Sequence, residues 1–338
     1  MELNFTGQLT RVVVVEEVSQ VGQARREALA LAEHAGLDEM DAGRVALVAT
    51  ELATNVIKHG RGGRMYLSTV CGRGGLGVEL CTLDAGPGLS LAQCLPDGYS
   101  TGGTQGLGLG AIRRHASVLD AWSDAKGAVI VARIYASRAP ADIDVPYGAL
   151  RIPMRHELAC GDGWHLRAHG GGIAVSLIDG LGHGLPAADA AQAGVAAMAA
   201  AAGFDAPTLI GAMHAGMSGT RGGAAAVACM LPGNGGIQFA GIGNIAGSLC
   251  EPTGSRGMAS HPGIVGVQFR KAQPFHFHAP AGTLLVMHSD GLQARWSLRD
   301  YPGLFHRHPA LIVAVLQRDF DRGRDDAGIV ALRLGDLN

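Results

Sequence analysis

Along this chain of 338 residues, apolar runs repeatedly lead to an aspartate with glycine one or two residues beyond it. "TLDAGPG" at 82–88, "SLIDGLGHG" at 176–184 and "VMHSDG" at 286–291 have this form, and "CGDG" at 160–163 and "GRDDAG" at 323–328 are built alike. Glycine after a strand-end acid lets the backbone approach something small and charged. Turn chemistry alone explains any one such cluster. Their recurrence predicts strands whose tips carry chemistry. The 52 glycines, about double the usual share of roughly 7%, follow no fixed period, which excludes collagen and solenoid repeats.

The length suits two ordinary domains, each able to bury its own core. A net charge of -2, balanced in both halves, argues against nucleic-acid and anionic-membrane partners. The six cysteines form no CxxC pair, and the opening "MELNFTGQLTRVVVV" lacks the features of a signal peptide, so a reduced, cytoplasmic setting is expected. The longest low-polarity stretch, "AGVAAMAAAAGF", is too short and alanine-rich for a bilayer span, and no membrane partner is expected.

Residues 136–149, "ASRAPADIDVPYGA", show no periodicity and are rich in Pro, Ala and Asp. They divide the chain into a first domain at 1–136, a linker at 137–148 and a second domain at 149–338. In the first domain "TRVVVVEE" predicts a strand. "SQVGQARREALALAEHAG" predicts a helix with Ser19 as cap and Gly36 as stop, and a second helix runs from Asp38 to His59. Two strands, "RMYLSTVC" and "LGVELCTLD", a helix "LGAIRRHASVLDA" and a last strand "AVIVARIYA" complete a sheet covered by helices on one face.

The second helix carries "ELATNVIKHG", in which Glu51, Asn55 and Lys58 or His59 share one face. Asp84 follows at a strand end. "TQGLGLGAIRR" then opens a helix with a glycine-rich loop, whose free N–H groups suit phosphate oxygens. In this order these segments resemble the N, G1 and G2 boxes of the GHKL ATPase family, nearest its RsbT-type serine/threonine kinases, from about residue 10 to 136. The resemblance implies a Bergerat α/β sandwich that binds ATP with Mg²⁺. By it Asn55 holds the Mg²⁺, Asp84 recognises the adenine amino group, and Gly86 and Gly88 shape that pocket. Gly106, Gly108 and Gly110 close over the phosphates, with Lys58, Thr104 and Leu107 also at the nucleotide. Glu51 is the implied general base toward a serine or threonine hydroxyl. After Gly127 the family offers a threonine where this chain has Ala128, a loss worth on the order of 1 kcal/mol, about fivefold in affinity.

In the second domain, strands broken by turns lead to the helices "PAADAAQAGVAAMAAAA" and "APTLIGAMHAGM". Strands "GGAAAVACML", "GIQFAGIGNIAGSL" and "GTLLVMHSDGL", the helix "PALIVAVLQRDF" and the strand "AGIVALRL" follow, with sheets inside and helices outside. Asp162, Asp179, Asp290 and Asp325 stand at strand tips, as hard oxygen donors suited to Mg²⁺ or Mn²⁺. Two such ions clamp a phosphate and activate water. These motifs, with "FAGIGNIAG" and "PGIVG", resemble the SpoIIE and RsbX branch of the metal-dependent type 2C protein phosphatases, which implies an α-β-β-α sandwich. The resemblance implies that Asp179 bridges two Mn²⁺ or Mg²⁺ ions and the Gly180 carbonyl binds one. Asp290 and Asp325 complete the second, Asp162 acts in the first or an outer ring of ligands, and Asp326 supports them. His183 is placed to contact phosphate or donate a proton. The pair His276 and His278 reads as a surface feature, with no HExxH nearby to suggest zinc.

Together the halves imply a bifunctional switch that phosphorylates and dephosphorylates Ser/Thr of partner proteins. The implied partners are STAS-domain proteins of a stressosome-like, partner-switching complex, with a downstream regulator bound by the kinase half. The alternative is an anti-sigma-type ATP-binding module that sequesters a partner, with only the phosphatase half catalytic. A sensor histidine kinase is disfavoured, because no membrane span or histidine-bearing helical pair precedes the ATP-binding half.

Overall fold

In a computed structural model, residues 2–88, 108–230 and 236–335 are described. In chain order the strands and helices begin β1 (Leu3–Thr6), β2 (Arg11–Val15), α1 (Val18–His34), α2 (Glu39–His59), β3 (Gly63–Gly72), β4 (Gly75–Asp84), α3 (Gly108–His115), β5 (Val118–Asp124) and β6 (Gly127–Tyr135). They continue with β7 (Tyr147–Ile152), β8 (Asp162–His169), β9 (Gly172–Gly180), α4 (Leu185–Ala200), α5 (Ala206–Gly216), β10 (Gly223–Met230), β11 (Gly236–Ile242), β12 (Ala246–Glu251) and β13 (Gly254–Met258). The short β14 (Gly263–Ile264) and β15 (Gln268–Phe269) precede β16 (Phe275–His278), β17 (Leu284–His288), α6 (Pro309–Phe320) and β18 (Ala327–Arg333).

The chain forms two compact units, Thr10–Val145 and Met1–Leu9 with Pro146–Asn338. This partition differs from the one expected at 1–136, 137–148 and 149–338. β1 pairs antiparallel with β8 of the second unit, Leu3 opposite Ala168, and Phe5 packs its ring against Trp164 at 5.6 Å. Both nitrogens of the buried His165 are engaged there, by Thr6 Oγ1 at 2.9 Å and Asn4 Oδ1 at 2.7 Å. Much of the expected linker is also structured. Arg133, fully buried, donates to Glu79 at 2.7 Å, to Asp144 at 2.9 Å and to the Val145 carbonyl at 2.9 Å. A buried guanidinium is retained only when its donors are satisfied, which fixes Asp144 and Val145 against β6.

In the Thr10–Val145 unit one antiparallel sheet, β2-β3-β4-β6-β5, carries α1 and α2 on one face. Leu31, Val48 and Leu52 of the helices pack on Met65, Leu67 and Leu80 of the sheet. α1 begins at Val18 rather than at Ser19, because the Gln20 side chain turns back to accept the Glu17 N–H at 2.7 Å. Gly36 takes the left-handed conformation past its end, φ 71°. The helix expected over 109–121 stops at His115, and the rest of it becomes β5. Val118, Asp120 and Trp122 pair with Arg133, Val131 and Val129 of β6, and that ladder outweighs local helix propensity.

The second unit stacks two antiparallel sheets, β1-β8-β9-β10-β11-β16 and β13-β12-β17-β18-β7, with contacts of β18 to β8 and β9 between them. α4 and α5 cover the first sheet and α6 covers the second, giving the α-β-β-α order that the resemblance implies. The run expected as one strand over 236–249 is two, β11 and β12, on different sheets. α4 is entered through Pro186, as its sequence predicts. Its small residues let the helix lie close: a Cβ on Gly194 would stand 2.8 Å from Ile178 Cδ1. No helix among the described residues is long and apolar enough to cross a membrane.

Candidate functional site

The strand-tip acids of the second unit converge. Asp162 opens β8 and lies directly opposite Asp179 near the end of β9. Ser289, just past β17, donates its Oγ–H to Asp162 Oδ2 at 2.6 Å and accepts the Gly328 N–H at 3.0 Å. Asp162 Oδ1 is buried with no hydrogen-bond partner. Asp290 accepts from the Asn244 amide at 2.8 Å, and Asp325 Oδ1 from the Asp326 N–H at 2.9 Å. Asp326 spends both oxygens on backbone, accepting Met154 N–H at 2.7 Å and Gly161 N–H at 2.6 Å. It therefore braces the loops around the acids.

The cluster is electrostatically unfavourable as a set of anions. Burial first, and then Asp179, push the Asp162 carboxyl well above the usual carboxylate range. Burial, then Asp290 and Asp325, push Asp179 up to about 7. Asp290 is raised by burial and then by Asp325. Asp179, Asp290 and Asp325 line a cleft of about 490 Å³ with His183, Asn244 and Arg324, and Asp162 lies outside that lining. His183 bonds Glu157 through Nδ1 at 2.9 Å.

The donors fit hard divalent cations by three observations. The oxygens are carboxylates, their mutual repulsion calls for positive charge, and a buried oxygen of Asp162 lacks any partner. Among the described residues no three side chains of His, Cys, Asp or Glu are grouped closely enough to hold one ion by themselves. Mg²⁺ commonly keeps several waters beside one or two carboxylates, so such a set suffices for it. Glycine lets α4 close on the strand tip: a Cβ on Gly180 would fall 2.2 Å from the Ala187 carbonyl oxygen.

In the first unit, α2 holds Glu51 and Asn55 one turn apart, both half-buried, with Lys58 and His59 exposed beyond them. Leu52, Ala53 and Val56 face the core, which turns the polar stripe outward. Asp84 ends β4, and its Oδ1 accepts the N–H groups of Gly86 at 2.9 Å and Ala128 at 3.0 Å. The approach depends on Gly127, at φ 133°, where a Cβ would fall 1.9 Å from the Asp84 carbonyl oxygen. Gly88 is likewise left-handed, Gly108 begins α3 and Gly110 is buried within it. Thr104, Gly106 and Leu107 lie outside the described residues.

The sequence reading missed Ser289, Asn244 and Arg324. Asn244 stands in "GIGNIAG" and Ser289 in "HSDG", so each adjoined a quoted motif; their hydrogen bonds are what single them out. The exposed histidines His276 and His278 sit on β16 at a sheet edge, and neither lines the cleft.

Residues 14–134 match the histidine kinase-like ATPase domain. The serine/threonine-protein kinase RsbT of Bacillus subtilis (strain 168) is 30% identical over 92 residues, 27% of this chain and 69% of that protein. A solved structure concerning the bacterial stressosome, "a modular system that has been adapted to control secondary messenger signaling", covers 56% of this chain and 98% of its own. Its TM-score is 0.51 at 26% identity. The phosphatase domain of SpoIIE from Bacillus subtilis, with a fragment of its regulatory domain, matches with a TM-score of 0.47 at 15% identity, over 94% of this chain and 96% of its own.

Proposed function

The chain belongs to the histidine kinase-like ATPase family through residues 14–134, joined to a unit of type 2C phosphatase fold, and from that premise we propose a bifunctional regulator of a partner-switching pathway. It transfers phosphate from ATP to Ser/Thr of STAS-domain partners of a stressosome-like complex and removes it by metal-dependent hydrolysis. The observation that carries this reading is the gathering of Asp162, Asp179, Asp290 and Asp325, from four distant segments, into one repulsive cluster around a cleft.

In the kinase direction, Asp84 receives the adenine amino group on a carboxylate already oriented by two backbone N–H groups. Asn55, with Mg²⁺, orients the phosphates, and Glu51, one turn earlier, takes the proton of the incoming hydroxyl as the new O–P bond forms and ADP leaves. In the phosphatase direction, Asp179, the Gly180 carbonyl, Asp290 and Asp325 would hold two Mn²⁺ or Mg²⁺ ions, which would neutralise phosphate and acidify water. Asp162, opposite Asp179 and fixed by Ser289, would add its unpartnered oxygen to the first or an outer ring of ligands. His183, held by Glu157, faces the cleft where a leaving serine or threonine oxygen needs a proton.

The purified protein is incubated with ATP and a STAS-domain protein, then with the phosphorylated product, with and without Mn²⁺. The reading expects phosphate gain in the first reaction and Mn²⁺-dependent loss in the second. Absence of turnover in both directions would leave a binding module.

A further inference from the structure

Among the described residues of the phosphatase unit, the large apolar side chains left exposed are Leu158, Leu181, Leu185 and Val267. All four belong to the surroundings of the acidic cleft. Leu181 lines it. Leu158 follows Glu157, whose carboxylate holds His183 at 2.9 Å and lies against Gly184, the residue before Leu185. Val267 lies by Gly222 together with Ile264 of the cleft wall, and the Gly222 carbonyl accepts the Leu181 N–H at 2.9 Å.

At 95% and 71% exposure, Leu158 and Leu185 contribute little to any core. Single exposed leucines need no explanation, whereas a set that gathers at one cleft marks a recognition surface. Charge points the same way. Arg324 lines the cleft, and an Arg221 guanidinium nitrogen stands 3.1 Å from where a Cβ on Gly182 would be. Cations at the mouth, above a floor of carboxylates intended for metal, match a phosphate that enters with negative charge to spare.

We propose that this apolar collar, with Arg221 and Arg324, is the docking surface for a folded phosphoprotein. Its phosphoserine or phosphothreonine enters the cleft while an apolar patch beside it seats on Leu158, Leu185 and Val267. The inference rests on the phosphatase reading and adds to it: the cleft recognises the shape around the phosphate. Three separate chain segments supply the collar, a spread suited to a protein surface and unnecessary for a small phosphate ester.

The test replaces Leu158, Leu185 and Val267, none of which lines the cleft, by serine together, and compares two substrates in Mn²⁺. For a phosphorylated STAS-domain protein, kcat/KM is expected to fall about tenfold or more, and for p-nitrophenyl phosphate to stay within about twofold. Equal losses on both substrates, or no loss on the protein, overturn the inference. If the substitutions only dissolve a homodimer and leave both rates intact, the collar serves self-association and the inference falls. A wild-type protein inactive on both substrates overturns the phosphatase reading itself.

Discussion

With its carboxyl pushed up to about 7, Asp179 holds a proton over a range in which an ordinary aspartate has lost it. Between about pH 4 and pH 7 the folded state therefore binds more protons than the unfolded state, and the stability of the metal-free protein falls as pH rises. The slope approaches about 1.4 kcal/mol per pH unit for each such proton. On the proposed function, bound Mn²⁺ would supply the missing positive charge and remove the slope. Urea melts of the phosphatase unit's transition at pH 4.5 to 7.5, in chelator and in excess Mn²⁺, are expected to diverge with rising pH. Asp179→Asn should make the chelator series less steep, with the remaining slope due to Asp162 and Asp290, and an unchanged slope in that variant would contradict the assignment. Ala128 is the matching residue in the ATPase unit. Its N–H orients Asp84, while its methyl offers no hydroxyl. Ala128→Thr is expected to tighten nucleotide binding about fivefold, read by titration of a fluorescent ATP analogue.

The strand tips owe their shape to the elements behind them. Gly180→Ala would drive a Cβ into the Ala187 carbonyl and push α4 off the end of β9. The expected cost is about 1–3 kcal/mol, with a larger loss of Mn²⁺-dependent turnover than of fold, measured by calorimetry and by hydrolysis of p-nitrophenyl phosphate. Most elements were legible: α6 carries a continuous apolar run entered by proline, and β18 a run of Ile, Val and Leu. β1 was not, because four residues are too few to show a period, and its partner β8 lies far along the chain. The segment 143–149 did carry a signal, apolar residues alternating at Ile143, Val145, Tyr147 and Ala149, obscured by the prolines and acids around them. The places of the acids at strand tips were readable from the apolar runs and glycines around them. Which oxygen is buried without a partner, and that Ser289 and Asn244 hold the others, depends on contacts between distant segments. Deleting residues 2–7 should strip the partners from His165 and uncover Trp164, destabilising the phosphatase unit by roughly 2–5 kcal/mol and leaving nucleotide binding intact.

At the scale of the molecule, two opposed reactions in one chain would only consume ATP if both ran freely, so the partner's phosphorylation reports their balance. Glu51→Ala is expected to lower that phosphorylation and Asp179→Asn to raise it, by phosphate incorporation at fixed ATP and Mn²⁺. Shifts in the same direction would dissolve the idea of a switch. The pairing of β1 with β8 adds a matter of timing. Leu3 meets Ala168 only after the whole Thr10–Val145 unit has been translated. At about 5–20 residues per second, roughly 8–33 s separate the synthesis of these two strands. By the end of that interval the ATPase unit has all its strands and can close, whereas the first strand of the phosphatase sheet has had nothing to pair with. On the proposed function, a chain leaving the ribosome would be competent to bind nucleotide before it is competent to hydrolyse phosphate, and until β8 is made its unpaired first strand is a liability that a chaperone or a neighbouring nascent chain can capture.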